Sequence, residues 1–211
     1  VLSGISLDGE RFFYVNPLAV SPEACDKRHD HSHVEPERQK WFACACCPPN
    51  LARLLTSIGE YFYTVKEDEV YIHLYGNSTA QVGGDEGEVQ LTQETVYPWE
   101  GNVGINVSTA QPVHFTLALR IPGWCRQAQV RINGEEIDLS AGLEDGYAKI
   151  SRRWNNGDRV ELIMAMPVER IYSHPLVAVN QGRVALQRGP IIYCLEEIDN
   201  GPNLSAISLP T

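Results

Sequence analysis

After about residue 59 the chain alternates between apolar and polar positions in short runs rich in aromatic and β-branched residues. This alternation is typical of β-strands with one buried face. The predicted strands cover residues 60–65, 70–75, 88–97, 103–108, 113–121, 128–132, 147–150 and 159–166. Turn sequences separate them, and Asn133-Gly134 and Asn155-Asn156-Gly157-Asp158 are typical of hairpins. The pattern predicts a mainly β fold, an antiparallel β-sandwich.

One helix is predicted where the apolar spacing changes from two residues to three or four. Leu51, Leu54 and Leu55 share one helical face, and a Pro-Pro pair at residues 48–49 is tolerated in a first turn. We expect Gly59 to end the helix in a left-handed conformation.

The segment before this helix has a different character. Residues 1–18 predict a short hairpin that turns at Asp8-Gly9, and residues 21–40 predict a long polar loop. The loop contains Cys25 and the histidines at 29, 31 and 33. Alternating histidines can bind metal, but a polar loop of this kind is more often solvated.

Size and charge limit the possible functions. The 211 residues, 43% of them hydrophobic, are enough for one sizeable core or two small ones. With 27 acidic and 17 basic residues the net charge is −10, which argues against nucleic acids and anionic membranes as partners. Apolar runs are shorter than a membrane span requires. Small neutral molecules or other proteins are the expected partners.

Three of the six cysteines cluster at positions 44, 46 and 47, and the others are scattered. Secreted disulfide frameworks are usually denser, so we expect a reducing compartment such as the cytoplasm. Cys46 and Cys47 directly precede the predicted helix, whose positive N-terminus favours a thiolate, the nucleophilic and metal-binding form. Packing as small hydrophobic side chains is the alternative. A zinc site is incomplete locally, because zinc normally takes four ligands and the familiar paired CxxC spacing is absent.

Other catalytic signatures are missing from the sequence. It contains no glycine-rich phosphate loop, zincin helix or Gly-x-Ser-x-Gly elbow. Tyr14, Asn16 and Trp41 lie near the cysteines in the predicted arrangement. Aromatic faces suit sugar rings, although strand aromatics more often belong to a core.

The cysteine block resembles a known family. Residues 41–50 (WFACACCPPN) and 13–18 (FYVNPL) are similar to the β-L-arabinofuranosidases of glycoside hydrolase family 127. Segments 119–124, 153–158 and 187–190 resemble the β-sandwich part of that family. The resemblance covers nearly the whole chain, and the Cys-Cys-Pro-Pro-Asn block is its most specific element.

The resemblance implies a fold and a mechanism. The family has an (α/α)6 barrel followed by β-sandwich domains, so residues 1–58 would end the barrel. Residues 59–172 would form the sandwich, and residues 173–211 would complete it or begin another β-module. Cys46 would be the nucleophile that forms a glycosyl-thioether, and Cys46 and Cys47 would ligate zinc. Tyr14 is a candidate for contacting the sugar.

The same resemblance implies that parts of the site lie elsewhere. A further cysteine and glutamate of the zinc site, and the acid/base glutamate, would precede Val1. The chain would then hold half a zinc site and be inactive without the barrel, its partners being that barrel and an arabinose-containing glycan. Two alternatives stay open: a non-catalytic carbohydrate-binding or scaffold sandwich with structural cysteines, and a small zinc-binding interaction domain.

Overall fold

A computed structural model describes residues 4–15, 19–20, 33–43, 46–84, 87–139 and 142–210. The chain forms two compact units. The first comprises Val1–Leu54, Glu169–Gln187 and Ile192–Thr211, and the second comprises Leu55–Val168 and Arg188–Ile191. In chain order the described strands and α-helices are β1 (Ala19–Val20), α1 (Cys47–Ser57), β2 (Tyr63–Lys66), β3 (Glu69–Ile72), β4 (Ser78–Gly84), β5 (Gly87–Thr95), β6 (Asn102–Thr109), β7 (Val113–Arg120), β8 (Ala128–Ile132), β9 (Glu135–Ile137), β10 (Leu143–Glu144), β11 (Tyr147–Trp154), β12 (Arg159–Met164), β13 (Val168–Ile171), β14 (Ala185–Arg188), β15 (Ile191–Tyr193), β16 (Leu195–Glu196) and α2 (Glu197–Asn200).

The second unit is a β-sandwich. One sheet has five strands in the order β10-β11-β7-β3-β2, and the other has six in the order β4-β5-β6-β12-β8-β9. Neighbouring strands in both sheets are antiparallel except β3 and β7, which run parallel with Val70 opposite Leu117. The mainly β fold predicted from the alternating pattern is therefore confirmed.

Both sheets contribute to one hydrophobic core. Along each central strand every second residue points inward, as Val70 and Ile72 do on β3 and Leu117 and Leu119 do on β7. Inward residues of the six-stranded sheet, such as Leu91, pack into the same cluster. Trp154 is fully buried there, and its Nε1 donates a hydrogen bond to the carbonyl of Phe115 at 3.0 Å. The one polar atom of this large ring is therefore satisfied.

Two turn predictions have different outcomes. Asn133-Gly134 forms the β8–β9 hairpin, with Ile132 opposite Glu135. The hairpin prediction for Asn155-Asn156-Gly157-Asp158 is wrong, because this turn leads from β11 in one sheet to β12 in the other. The turn sequence sets a local chain reversal, whereas the pairing partner depends on which sheet buries the next strand.

Several details differ from the sequence pattern. Strands β4, β9 and β10 are not among the predicted strands, because these edge strands carry few large apolar side chains. Gly59 does not adopt the expected left-handed conformation; it lies within a 3₁₀ turn, Ile58–Tyr61, that extends α1.

The first unit has little regular structure. Instead of two strands, the described part of the predicted hairpin has one bridge between Ile5 and Phe12, and a second joins Phe12 to Gln39. Strands β1 and β16 pair in parallel, and a sheet of order β13-β14-β15 lies largely within this unit. Asn16, Cys25, His29, His31 and Cys44 lie outside the described residues. Helices in the described ranges are too short or too polar to cross a bilayer.

Candidate active site

The candidate site is built at the N-terminus of α1. The helix begins at Cys47, and the N–H of Asn50 donates to the carbonyl of Cys46 at 3.2 Å. Cys46 is therefore the N-cap residue, and its carbonyl accepts the first helical hydrogen bond. The predicted position of the two cysteines at a helix start is confirmed.

Cys46 and Cys47 are both exposed, and their Sγ atoms are 3.7 Å apart. The hydroxyl of Tyr14 lies 2.7 Å from Cys46 Sγ in a hydrogen bond. The fold thus brings together three of the sequence-predicted residues, although Tyr14 and Cys46 are separated by 32 positions. The sulfur of Cys46 is accessible and has a polar partner.

Cys125 shows a different environment. It is partly buried against the sandwich core, and its Sγ donates to the carbonyl of Gln127 at 3.1 Å. Burial raises the pKa of the Cys125 thiol, which favours its neutral form. Cys125 therefore packs as a small hydrophobic side chain, the alternative role for a cysteine given above.

Two aromatic rings pack against Tyr14. Its ring centroid is 5.3 Å from that of Phe42 and 4.6 Å from that of His33. Phe42 is buried and also packs edge-on against Phe12, at 5.1 Å. Trp41, the aromatic residue singled out beside the cysteines, is exposed. The tyrosine ring therefore has a fixed support, and its hydroxyl points at the sulfur.

The sequence did not reveal the residues behind this aromatic cluster. Arg38 forms a two-pronged ion pair with Glu196, which lies 158 positions away. The guanidinium carbon of Arg38 lies 4.6 Å from the ring centroid of Phe13, next to Tyr14. No local motif links an arginine in a loop to a glutamate near the C-terminal end, so the pattern carried no signal for this pair.

The two sulfurs fit the zinc that the family resemblance implies. Two thiolate ligands at the usual Zn–S distance in a tetrahedral site are about 3.8 Å apart. The observed Sγ separation of 3.7 Å matches this without a change of rotamer. In the described ranges, no cluster of three or more His, Cys, Asp or Glu side chains is suited to hold a metal. Among the described residues, Cys46 and Cys47 are therefore the two candidates for holding such an ion at this place.

Three family descriptions together match almost the entire chain. Residues 1–60 match "Beta-L-arabinofuranosidase, GH127 catalytic domain", and residues 69–166 match "Beta-L-arabinofuranosidase, GH127 middle domain". Residues 168–211 match "Glycoside hydrolase family 127 C-terminal domain". The chain belongs to glycoside hydrolase family 127.

Relatives with known names and solved structures agree with membership of family 127. The chain is 36% identical to the non-reducing end β-L-arabinofuranosidase of Bifidobacterium longum subsp. longum, over 96% of the chain and 31% of the relative. It resembles the crystal structure of a GH127 β-L-arabinofuranosidase from Geobacillus stearothermophilus T6, with a TM-score of 0.87, 59% identity, and coverage of 96% of this chain and 32% of that one. A solved GH127 β-arabinofuranosidase gives a TM-score of 0.76 at 38% identity, covering 94% of this chain and 32% of that one. The chain spans about a third of the length of each of these relatives.

Proposed function

We propose that this chain is part of a zinc-dependent retaining hydrolase of β-L-arabinofuranosides in which Cys46 is the nucleophile. The observation that carries the proposal is the accessible Cys46 sulfur at the start of α1, with the Tyr14 hydroxyl at 2.7 Å and Cys47 Sγ at 3.7 Å. Membership of family 127, with relatives named β-L-arabinofuranosidases, supports the substrate class.

Retention of configuration requires two displacements. In the first, Cys46 Sγ attacks the anomeric carbon, the C–O bond to the leaving group breaks, and the departing oxygen takes a proton from a carboxylic acid. In the second, water attacks the same carbon, gives its proton to that carboxylate and breaks the C–S bond. Tyr14 holds the Cys46 side chain in one direction through its hydroxyl, which favours an aligned attack.

Cys46 and Cys47 would hold the zinc, with the remaining ligands and the acid/base supplied by a helical barrel upstream of Val1. When bound, zinc would supply positive charge that favours the thiolate form of its sulfur ligands. The exposed apolar side chains of α1 support a barrel contact, since Leu54 is 47% and Leu55 60% exposed. On this proposal the barrel ends near residue 58, the sandwich covers residues 59–172, and a further β-module or the end of the sandwich follows.

A chimeric protein tests the proposal. The part of the Geobacillus relative that precedes the matching region would be joined to this chain, and hydrolysis of an aryl β-L-arabinofuranoside would be followed. We expect the chain alone to be inactive, because it lacks both the acid/base that assists the two displacements and the barrel that would complete the site. The chimera should hydrolyse the substrate, and Cys46→Ala should reduce its kcat by about 10³-fold or more.

Cys125→Ser is the matched control, because it removes a thiol that lies in the sandwich, and it should leave the kcat of the chimera within about twofold. An isolated chain as active as the chimera, or a fully active Cys46→Ala chimera, would refute the proposal.

If the Cys46→Ala chain alone bound arabinose oligosaccharides tightly in calorimetry, the carbohydrate-binding alternative would be favoured. Stoichiometric zinc in the isolated chain would favour the zinc-binding interaction domain.

A further inference from the structure

A largely buried ion pair joins two distant segments of the first unit. Arg38 Nη1 is 2.7 Å from Glu196 Oε2, and Nη2 is 2.9 Å from Oε1. The side chains are 23% and 11% exposed, respectively. Two parallel charge-assisted hydrogen bonds fix the plane of the guanidinium group, which a single contact would not do.

Arg38 is also fixed against the segment that carries Tyr14. Its guanidinium carbon lies 4.6 Å from the ring centroid of the buried Phe13. The residues next to this pair, Phe12 and Gln39, exchange two backbone N–H···O hydrogen bonds, at 2.9 and 3.0 Å. The guanidinium plane therefore packs on the ring of the residue that directly precedes Tyr14.

Glu196 has a fixed backbone. It pairs with Val20 in the parallel ladder of β1 and β16, and its carbonyl accepts a hydrogen bond from Asn200 Nδ2 at 2.8 Å. Its carboxylate is thus held from a part of the chain far in sequence from the cysteines. A route of direct contacts runs from Glu196 through Arg38 and Phe13 to the segment of Tyr14.

We propose that Glu196 is a positioning residue that acts through Arg38 and Phe13 to hold the Tyr14 hydroxyl at the sulfur of Cys46. The inference rests on the proposed function, in which Cys46 Sγ is the attacking atom. Removing the carboxylate charge weakens both hydrogen bonds that fix the plane of the Arg38 guanidinium group, so the group can rotate. Phe13 then loses the cation above its ring, and the resulting shift of the neighbouring Tyr14 lengthens and misaligns its hydrogen bond to Cys46 Sγ.

Site-resolved alkylation of this chain tests the proposal. The chain is treated with iodoacetamide in the presence of a chelator, and the rate at each cysteine is measured by mass spectrometry. The reported quantity is the ratio of the Cys46 rate to the Cys47 rate. We expect Tyr14→Phe to raise this ratio about threefold, because the Cys46 sulfur is then no longer held by its hydrogen bond to the hydroxyl.

Glu196→Gln should raise the ratio by a similar factor. The double variant, Tyr14→Phe with Glu196→Gln, should show no further increase, because Glu196 acts through Tyr14. A residue that only stabilised the fold would give an effect that adds to that of Tyr14→Phe. The matched control is Glu94→Gln, which removes the carboxylate partner of Arg159 on the sandwich surface and should leave the ratio unchanged.

The outcomes separate the two proposals. If Tyr14→Phe leaves the ratio unchanged, the contact in the proposed active site is refuted. If Tyr14→Phe raises the ratio but Glu196→Gln does not, or if the two effects add, the positioning role of Glu196 alone is refuted. Should Glu196→Gln unfold the first unit, seen as equal acceleration at Cys46 and Cys47, Arg38→Lys replaces it. That variant keeps the positive charge but loses the two-pronged hydrogen bonding to Glu196 and the planar group over the Phe13 ring. An unchanged ratio of the Cys46 to the Cys47 alkylation rate would therefore also overturn the inference.

Discussion

Asp158 is a buried carboxylate at the turn between β11 and β12. Its Oδ2 accepts from the N–H of Asn155 at 2.9 Å, and its Oδ1 accepts from Asn133 Nδ2 at 2.9 Å. Burial raises the pKa of this carboxyl, but the hydrogen bonds and the positive charge of Arg152 outweigh it, so the pKa lies below its usual value. The ionised side chain therefore stabilises the folded state and ties this turn to the β8–β9 hairpin.

Replacing Asp158 with Asn should lower the free energy of unfolding by about 1–3 kcal/mol at pH 7, since an amide cannot accept both hydrogen bonds as a carboxylate does. The pKa of the folded state is below that of the unfolded state. The contribution of the carboxylate is therefore present above about pH 4 and is lost as the pH falls through the folded-state pKa. Urea unfolding should show a smaller deficit at pH 3 than at pH 7.

The control for Asp158 is Asp68→Asn, the same chemical change at an exposed turn position between β2 and β3. Its effect should stay below about 0.5 kcal/mol. An Asp158→Asn deficit that was equal at both pH values would contradict the role assigned to the charge.

Among the elements, the β8–β9 hairpin shows how a two-residue turn sets strand register. Asn133 and Gly134 have φ angles of 53° and 86°, the left-handed pair of a type I′ turn. The side chain of Asn133 accepts a hydrogen bond from the N–H of Arg159 at 2.8 Å, which connects the hairpin to β12. Asparagine tolerates the left-handed region, and glycine does so without strain.

Gly134→Ala should lower the free energy of unfolding by about 1 kcal/mol. No heavy atom lies within 4 Å of the position that a Cβ would take, so the cost arises from the backbone conformation alone. Gly123→Ala is the matched control, because that site is also open and its φ lies outside the left-handed region. Thermal unfolding followed by circular dichroism compares the two, and an equal effect at both positions would refute the turn argument.

Over the whole sandwich, stability depends on a core to which both sheets contribute. Leu117 on β7 and Leu162 on β12 belong to different sheets, and neither is accessible to solvent. Both lie in the same buried cluster. Since neither sheet can bury its apolar face without the other, the two sheets should unfold together.

Leu117→Ala and Leu162→Ala should each cost about 3 kcal/mol, from the lost transfer free energy and the cavity left behind. In urea unfolding both should shift one common transition of the sandwich. Leu143→Ala, at a position that is 58% exposed, should change the free energy by less than about 0.5 kcal/mol. Separate transitions for the two core variants would show that the sheets do not share a cooperative core.

The sequence by itself determined the features that depend on neighbouring residues. The two-residue period of buried strands such as β6 and β7, the start of α1 next to Cys46 and the Asn133-Gly134 turn all follow from local chemistry. The family resemblance also came from contiguous blocks of residues. The sequence did not predict edge strands such as β4, because their largely polar segments become strands only by pairing with a neighbouring strand.

Only the tertiary structure decided which distant groups meet. The contact of Tyr14 with Cys46, the ion pair of Arg38 with Glu196 and the passage from β11 into the opposite sheet join residues or strands that no local pattern connects. Periodicity predicts which face of an element is buried, but it does not predict which other element packs against that face. Many different partners could cover the same apolar face. Packing of the whole chain selects one partner, and with it the surroundings of the reactive sulfur.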